Sequence, residues 1–178
     1  DRCDALFGQQ PPREALGMDA ADIQTAERAA ALCKSDLATS MVVDFTSLQG
    51  VMGRYYALAN AEPREVADAI EAHYRPRFAG DALPEGPIGC AVALADKLDA
   101  IAGLFSIGQQ PTGDRDPFAL RRAALGVVRI LVERDLPLSL FDLVRDAFAS
   151  NAFKRKAAVE VQEFIVDRLS GYLKDLDF

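Results

Sequence analysis

Imidazole is almost absent from this chain: His73 is its single histidine, and its three cysteines, Cys3, Cys33 and Cys90, are widely scattered. Transition-metal centres draw on imidazole and thiolate, so a metal-dependent enzyme finds at most one imidazole ligand here. The odd, dispersed cysteines argue against a disulfide framework. Cys33 and Cys90 sit among apolar neighbours and are expected as small core residues in a reducing cytoplasm. No run of alternating β-branched residues appears, and no Asn-Gly or Asp-Gly turn, so strands are not expected. Also missing are a phosphate-binding Walker loop, a Gly-rich dinucleotide turn, a Cys-x-x-Cys pair and a Gly-x-Ser-x-Gly elbow. No apolar stretch has the length of a membrane span or the form of a signal peptide. The chain opens at Asp1 without an initiator Met and reads as an excised segment of a longer cytoplasmic protein.

Positive charge is also scarce. The net charge of −7 argues against a general nucleic-acid binder, DNA included, held by phosphate contacts alone. The acidity is uneven: residues 1–86 carry 8 basic and 14 acidic side chains, residues 87–178 carry 12 and 13. Any RNA contact is therefore expected to be local and in the second half.

What the chain has is helical periodicity. Its 178 residues, half of them apolar, suit one domain with an ordinary core. Residues 1–18 read as an irregular entry segment and 19–178 as one all-α bundle of six to seven helices. The pattern predicts helices near 19–43, 46–60, 63–74, 87–106, 117–134, 139–150 and 155–176, punctuated by prolines where helices start or stop. The main loops fall at 75–87 and 107–116. In the last helix Ala158, Val161, Ile165, Leu169, Tyr172 and Leu176 form one apolar stripe. Lys154-Arg155-Lys156 at its start reads as a solvated entrance or a phosphate contact.

Two helices carry polar residues that need a reason. The segment 87–106 is apolar or small on opposite faces and carries only Asp96, Lys97 and Asp99 as charges. It is expected at the centre of the bundle, with Asp96 at least partly buried and in need of hydrogen bonds, a metal or a cation. In the segment from Pro117, Asp116 reads as the N-cap and Pro117 as the first helical residue. Arg122, Arg129 and Glu133 face outward, with Arg129 and Glu133 spaced to pair. Arg121 falls near the apolar side and is expected either to reach Asp96 or Asp36 or to carry its head out to water. His73 is expected to cap its helix or to interact with the helix dipole. Gly50-Val51-Met52-Gly53 reads as a close helix contact rather than a phosphate cradle.

Several longer strings carry a family resemblance. Leu32-Cys33-Lys34-Ser35-Asp36-Leu37-Ala38-Thr39, Leu48-Gln49-Gly50-Val51-Met52-Gly53-Arg54-Tyr55-Tyr56-Ala57, His73-Tyr74-Arg75-Pro76-Arg77-Phe78-Ala79-Gly80, Cys90 to Asp99, and the stretch from Gly108 to Gly126 together resemble the β subunit of bacterial heterotetrameric glycyl-tRNA synthetase. The likeness runs in order from about Ala26 to Leu173 and is weak before that. It implies an HD-like helical domain, and an α2β2 ligase whose α subunit uses ATP and Mg to activate glycine while the β subunit recognises tRNA(Gly). Working HD phosphohydrolases hold metal through a His, a His-Asp doublet and a later Asp. On this chain the resemblance places Asp36 and Asp96 at the two aspartate positions, but Ser35 stands where the doublet has histidine. The implied reading is a segment without catalytic, metal or cofactor sites of its own, which positions tRNA or braces the assembly against the α subunit and the rest of the β subunit. Its RNA-contact candidates are Arg54, Arg75, Arg77, Arg115, Arg122, Lys154, Arg155 and Lys156. The alternatives are a divergent HD phosphohydrolase using Asp36, His73 and Asp96, or a protein-only interaction module.

Overall fold

The computed structural model describes residues 15–149 and 157–176. Among them are eight α-helices: α1 (Ala20–Leu32), α2 (Ser40–Asp44), α3 (Val51–Ala59), α4 (Arg64–Ala72), α5 (Gly86–Ser106), α6 (Leu120–Glu133), α7 (Leu140–Ala149) and α8 (Ala157–Asp175), with 3₁₀ turns at Ser35–Ala38 and Thr46–Leu48. The described residues form no strand, and the fold is an all-α bundle.

The 21-residue α5 is its axis. Residues Gly89 to Ala95, with Leu98, Ile101, Ala102 and Phe105, are all buried, as a helix apolar all round must be. Glycine and alanine on its surface let α1, α4, α6, α7 and α8 pack directly against it. The α8 stripe docks through Val161 and Ile165, with Leu169 and Tyr172 partly buried, but it frays at Leu176, which is exposed. Cys33 and Cys90 are buried thiols.

Three boundaries depart from the periodicity, each because a carboxylate or a glycine overrides it. The expected helix 19–43 breaks after Leu32. Asp36 turns inward there, and its Oδ2 accepts the amides of Gly50 at 2.7 Å and Gly53 at 3.2 Å. Thr39 then starts α2, its hydroxyl donating to the Asp36 carbonyl and accepting from the Val42 amide. This break accounts for a helix count above the expected six to seven.

The expected helix 46–60 begins only at Val51, because Gly50 lies at φ 80° and a Cβ there would come 2.6 Å from Cδ2 of Tyr74. Gly53 is a close contact as expected: a Cβ on it would sit 2.8 Å from Cγ2 of Ile70. The third helix to shift, α6, starts at Leu120 rather than Pro117. Asp116 does cap it, accepting from the amides of Leu120 and Arg121, while Ala119 between them adopts the left-handed conformation. Arg129 also departs from expectation. It pairs with Glu133 at 2.6 Å, but it is buried rather than on an outward face.

Candidate functional site

The turn after α1, the C-terminal end of α4 and the middle of α5 converge on one polar constellation. His73, the C-cap of α4, is fully buried. Its Nδ1 lies 2.5 Å from the Ile70 carbonyl, which assigns the proton to that nitrogen and leaves Nε2 as an acceptor. Lys34 donates to it: its Nζ lies 2.9 Å from His73 Nε2 and 3.0 Å from Asp96 Oδ2. The ammonium also stands 4.3 Å from the centroid of the Tyr74 ring, a cation–π contact, and the Tyr74 and His73 rings are 3.9 Å apart. Lys97 closes the group from below, its Nζ donating to the His73 carbonyl at 3.0 Å.

The electrostatics follow from burial. Desolvation, then the Lys34 charge, pushes His73 down to about 4, so the imidazole is neutral at physiological pH. The sequence reading of a cap is met by its backbone, but a neutral buried ring supplies no positive charge to the helix dipole. Burial likewise brings Lys97 down to about 8. It also holds the Tyr74 hydroxyl well above the ordinary phenol range, with Asp36 and Asp96 adding to the effect.

The cation that meets Asp96 is Lys34 and not Arg121. Arg121 donates instead to the Gly113 carbonyl, and it lies half-buried at the edge of α6 while Leu120 takes the inward position. The 33–39 turn, read from sequence as continuing helix, is what directs Lys34 to α4 and α5. Asp36 is buried but belongs to a different contact. Its Oδ2 is committed to the Gly50 and Gly53 amides, and its Oδ1 has no partner among the described residues.

The donor set therefore does not fit an HD-type metal centre. An ammonium stands between the imidazole and Asp96, Asp36 faces the glycine amides, and the position that the resemblance implies for the doublet histidine holds Ser35. Among the described residues no three metal-ligating side chains converge.

The candidate RNA contacts are dispersed. Arg54 is tied to Asp68 at 2.6 Å and Arg75 to Glu71 at 2.9 Å. Arg75 borders a cavity of about 450 Å³ walled by Glu65, Asp68, Glu71 and Glu85, an acidic surface unsuited to phosphate. Arg77 is half-buried, and its backbone amide donates to Asp81 at 2.6 Å. Arg115 is exposed on the loop before α6. Lys154, Arg155 and Lys156 lie outside the described residues. Arg122 is the exception: with Arg121, Arg168 and Lys174 it lines a cleft of about 570 Å³ between α6 and α8. Sequence reasoning missed Arg168 and Lys174, because isolated cations on the polar face of an amphipathic helix carry no signal until that helix is docked.

The chain matches the family model described as "Glycyl-tRNA synthetase beta subunit" over residues 9–178, further toward the N-terminus than the resemblance alone reached. It is 57% identical over 151 residues to the glycine–tRNA ligase beta subunit of Paracidovorax citrulli, covering 84% of this chain and 21% of that protein. The beta subunit of Aromatoleum aromaticum is 56% identical over 155 residues, 87% of this chain and 22% of the relative. That of Dechloromonas aromatica is 54% identical over 165 residues, 91% and 23% respectively. The chain spans about a fifth of the length of these relatives. No described helix is long and apolar enough to cross a membrane. With a match that takes in all the described residues and both the Lys34 constellation and the α6–α8 cleft, the chain belongs to the family of glycyl-tRNA synthetase beta subunits.

Proposed function

We propose that this chain is a non-catalytic helical part of a glycyl-tRNA synthetase β subunit in the cytoplasm. It supports ATP-dependent ligation of glycine to tRNA(Gly) by positioning the tRNA and by bracing the α2β2 assembly. The adenylate-forming chemistry, with ATP and Mg, belongs to the α subunit in this reading. A rigid support contributes by orientation, holding the reacting end of one molecule near a site on another chain.

The observation that carries the non-catalytic reading is the Lys34 ammonium, 2.9 Å from His73 Nε2 and 3.0 Å from Asp96 Oδ2. The partly buried Lys34 ammonium occupies the imidazole lone pair and one oxygen of the carboxylate that a hydrolase of HD type uses for metal. His73, held neutral and hydrogen-bonded at both ring nitrogens, has no lone pair left for proton transfer.

Bracing is supported by a second observation. Leu37, Met41, Val43, Phe45 and Tyr55 are exposed along one segment whose only charges from Leu37 to Gly53 are at Asp44. Apolar exposure of that kind marks a protein contact.

Metal analysis of the purified, dialysed chain, with an assay of phosphomonoester hydrolysis in added Mn²⁺, tests the reading. The expected result is neither stoichiometric metal nor turnover. Retained metal together with turnover that Asp96→Asn abolishes overturns it in favour of an HD phosphohydrolase.

A further inference from the structure

The α6–α8 cleft departs from the overall charge balance of the chain. Five basic and two acidic side chains line it, in a molecule of net charge −7. Arg129 is committed to Glu133, and Arg168 donates to Asp167. Arg122 and Lys174 have no ion-pair partner among the described residues. The Nε of Arg168 is buried without an acceptor among the described residues, an unsatisfied donor of a kind that native proteins seldom keep. Turning that guanidinium toward an anion in the cleft would satisfy it.

The walls leave room for an extended ligand. Gly80 and Gly171 lie along the cleft, and a Cβ on either would meet no atom within 4 Å. Guanidinium groups on both sides match phosphate oxygens through paired N–H donors, a geometry that lysine-rich or neutral clefts lack.

We propose that this cleft binds consecutive phosphates of an RNA backbone, with Arg122 on α6 and Arg168 and Lys174 on α8 as the contacting side chains. The proposal rests on the tRNA-positioning reading and narrows it to one surface. Arg121 links the cleft to the loop before α6 through its bond to the Gly113 carbonyl, so the loop and the exposed Arg115 border the same RNA path. The surface around α3 and α4, where Arg54 and Arg75 are neutralised by Asp68 and Glu71, takes no part.

The test measures binding of labelled tRNA(Gly) transcript to the 178-residue chain by fluorescence anisotropy across a salt series. Arg122→Gln/Arg168→Gln is compared with Arg28→Gln/Arg64→Gln, which removes the same charge from exposed arginines outside the cleft. Circular dichroism confirms that each variant keeps its helices. The expected result is binding about tenfold weaker for the cleft pair, with the log–log salt slope reduced by about two, and binding within about twofold of the parent for the control pair.

Equal loss in both pairs, or none in the cleft pair while the parent binds, overturns the cleft and leaves tRNA positioning standing. No binding by the parent at low salt overturns both. Competition by an oligoglutamate of equal charge as effective as the RNA overturns the RNA assignment in favour of an acidic protein segment.

Discussion

Asp36 and Gly50 meet across 14 residues of chain, the carboxylate Oδ2 accepting the glycine amide at 2.7 Å while the same oxygen takes the Gly53 amide at 3.2 Å. The N-terminus of α3 is thus satisfied by a buried side chain from the 33–39 turn, and two segments with little core of their own are fastened to each other. Asp36→Ala is expected to cost about 3 kcal/mol, since it leaves two buried N–H groups without an acceptor. Asp36→Asn keeps an acceptor oxygen in place and is expected to cost less than half as much. Urea unfolding of the two variants measures this; equal losses would show that geometry alone does not carry the contact.

The burial of His73, with the Lys34 ammonium adding to it, makes stability depend on acid. The folded chain holds His73 down at about 4, whereas the unfolded chain takes a proton near 6.5. From pH 6.5 down to about 4 only the unfolded state binds that proton, so stability falls as pH falls through this window and is fully present above it. The loss is about 3 kcal/mol across the window. Lys34→Met removes the repelling ammonium and leaves Asp96, which favours the charged ring. The histidine pKa is therefore expected to rise and the acid-sensitive window to narrow. With a single histidine in the chain, its ring proton resonance followed by NMR reports the titration directly. An unchanged midpoint in Lys34→Met would remove Lys34 as a cause.

How far the fold and site were legible follows from which contacts are local. The all-round apolarity of α5 and the stripe of α8 are properties of consecutive turns, and both helices lie where the pattern puts them. The need of Asp96 for a cation was legible for the same reason: few polar residues share its helix. Which cation supplies it was not, because Lys34 is 62 residues away and reaches Asp96 only after the chain breaks at Cys33. That break depends on Asp36 finding two amides in α3, a long-range event with no periodic trace. His73 sits in a polar stretch between Glu71 and Arg75 that gives no sign of its burial; α5 packing over the end of α4 buries it. The α6–α8 cleft needed both helices docked before its cations could be seen together.

Lys97 is expected to cost stability at neutral pH rather than add to it. Burial lowers it from 10.5 to about 8, so below pH 8 both states are protonated and the folded protein bears a desolvated ammonium. Between pH 8 and 10.5 the folded state releases the proton while the unfolded state keeps it, and stability rises with pH through that window. Lys97→Met is expected to abolish this rise. At pH 7 it is expected to be neutral or to stabilise by up to about 2 kcal/mol, because the lost bond to the His73 carbonyl offsets part of the relief. Thermal melts at pH 7 and pH 10 for parent and variant measure both effects; a variant destabilised at pH 7 would show that the His73 bond outweighs the buried charge.

Gly126 in α6 exists to make room for that lysine. A Cβ at this position would stand 2.8 Å from Cε and 3.1 Å from Cδ of Lys97, whose stem is enclosed between α5 and α6 and is fixed at its tip by the His73 carbonyl. On helix propensity alone, Gly126→Ala gains about 1 kcal/mol. With Lys97 present the overlap is expected to outweigh this and give a net loss of about 1–2 kcal/mol, the typical cost of overpacking. With Lys97→Ala as background the space is open, and the same substitution is expected to stabilise. The two mutations therefore form a double-mutant cycle with a coupling of about 2–3 kcal/mol, read from chemical unfolding of the four proteins. Additive effects would mean that the glycine answers to Pro76, whose Cδ lies 3.5 Å from the same Cβ, rather than to the lysine.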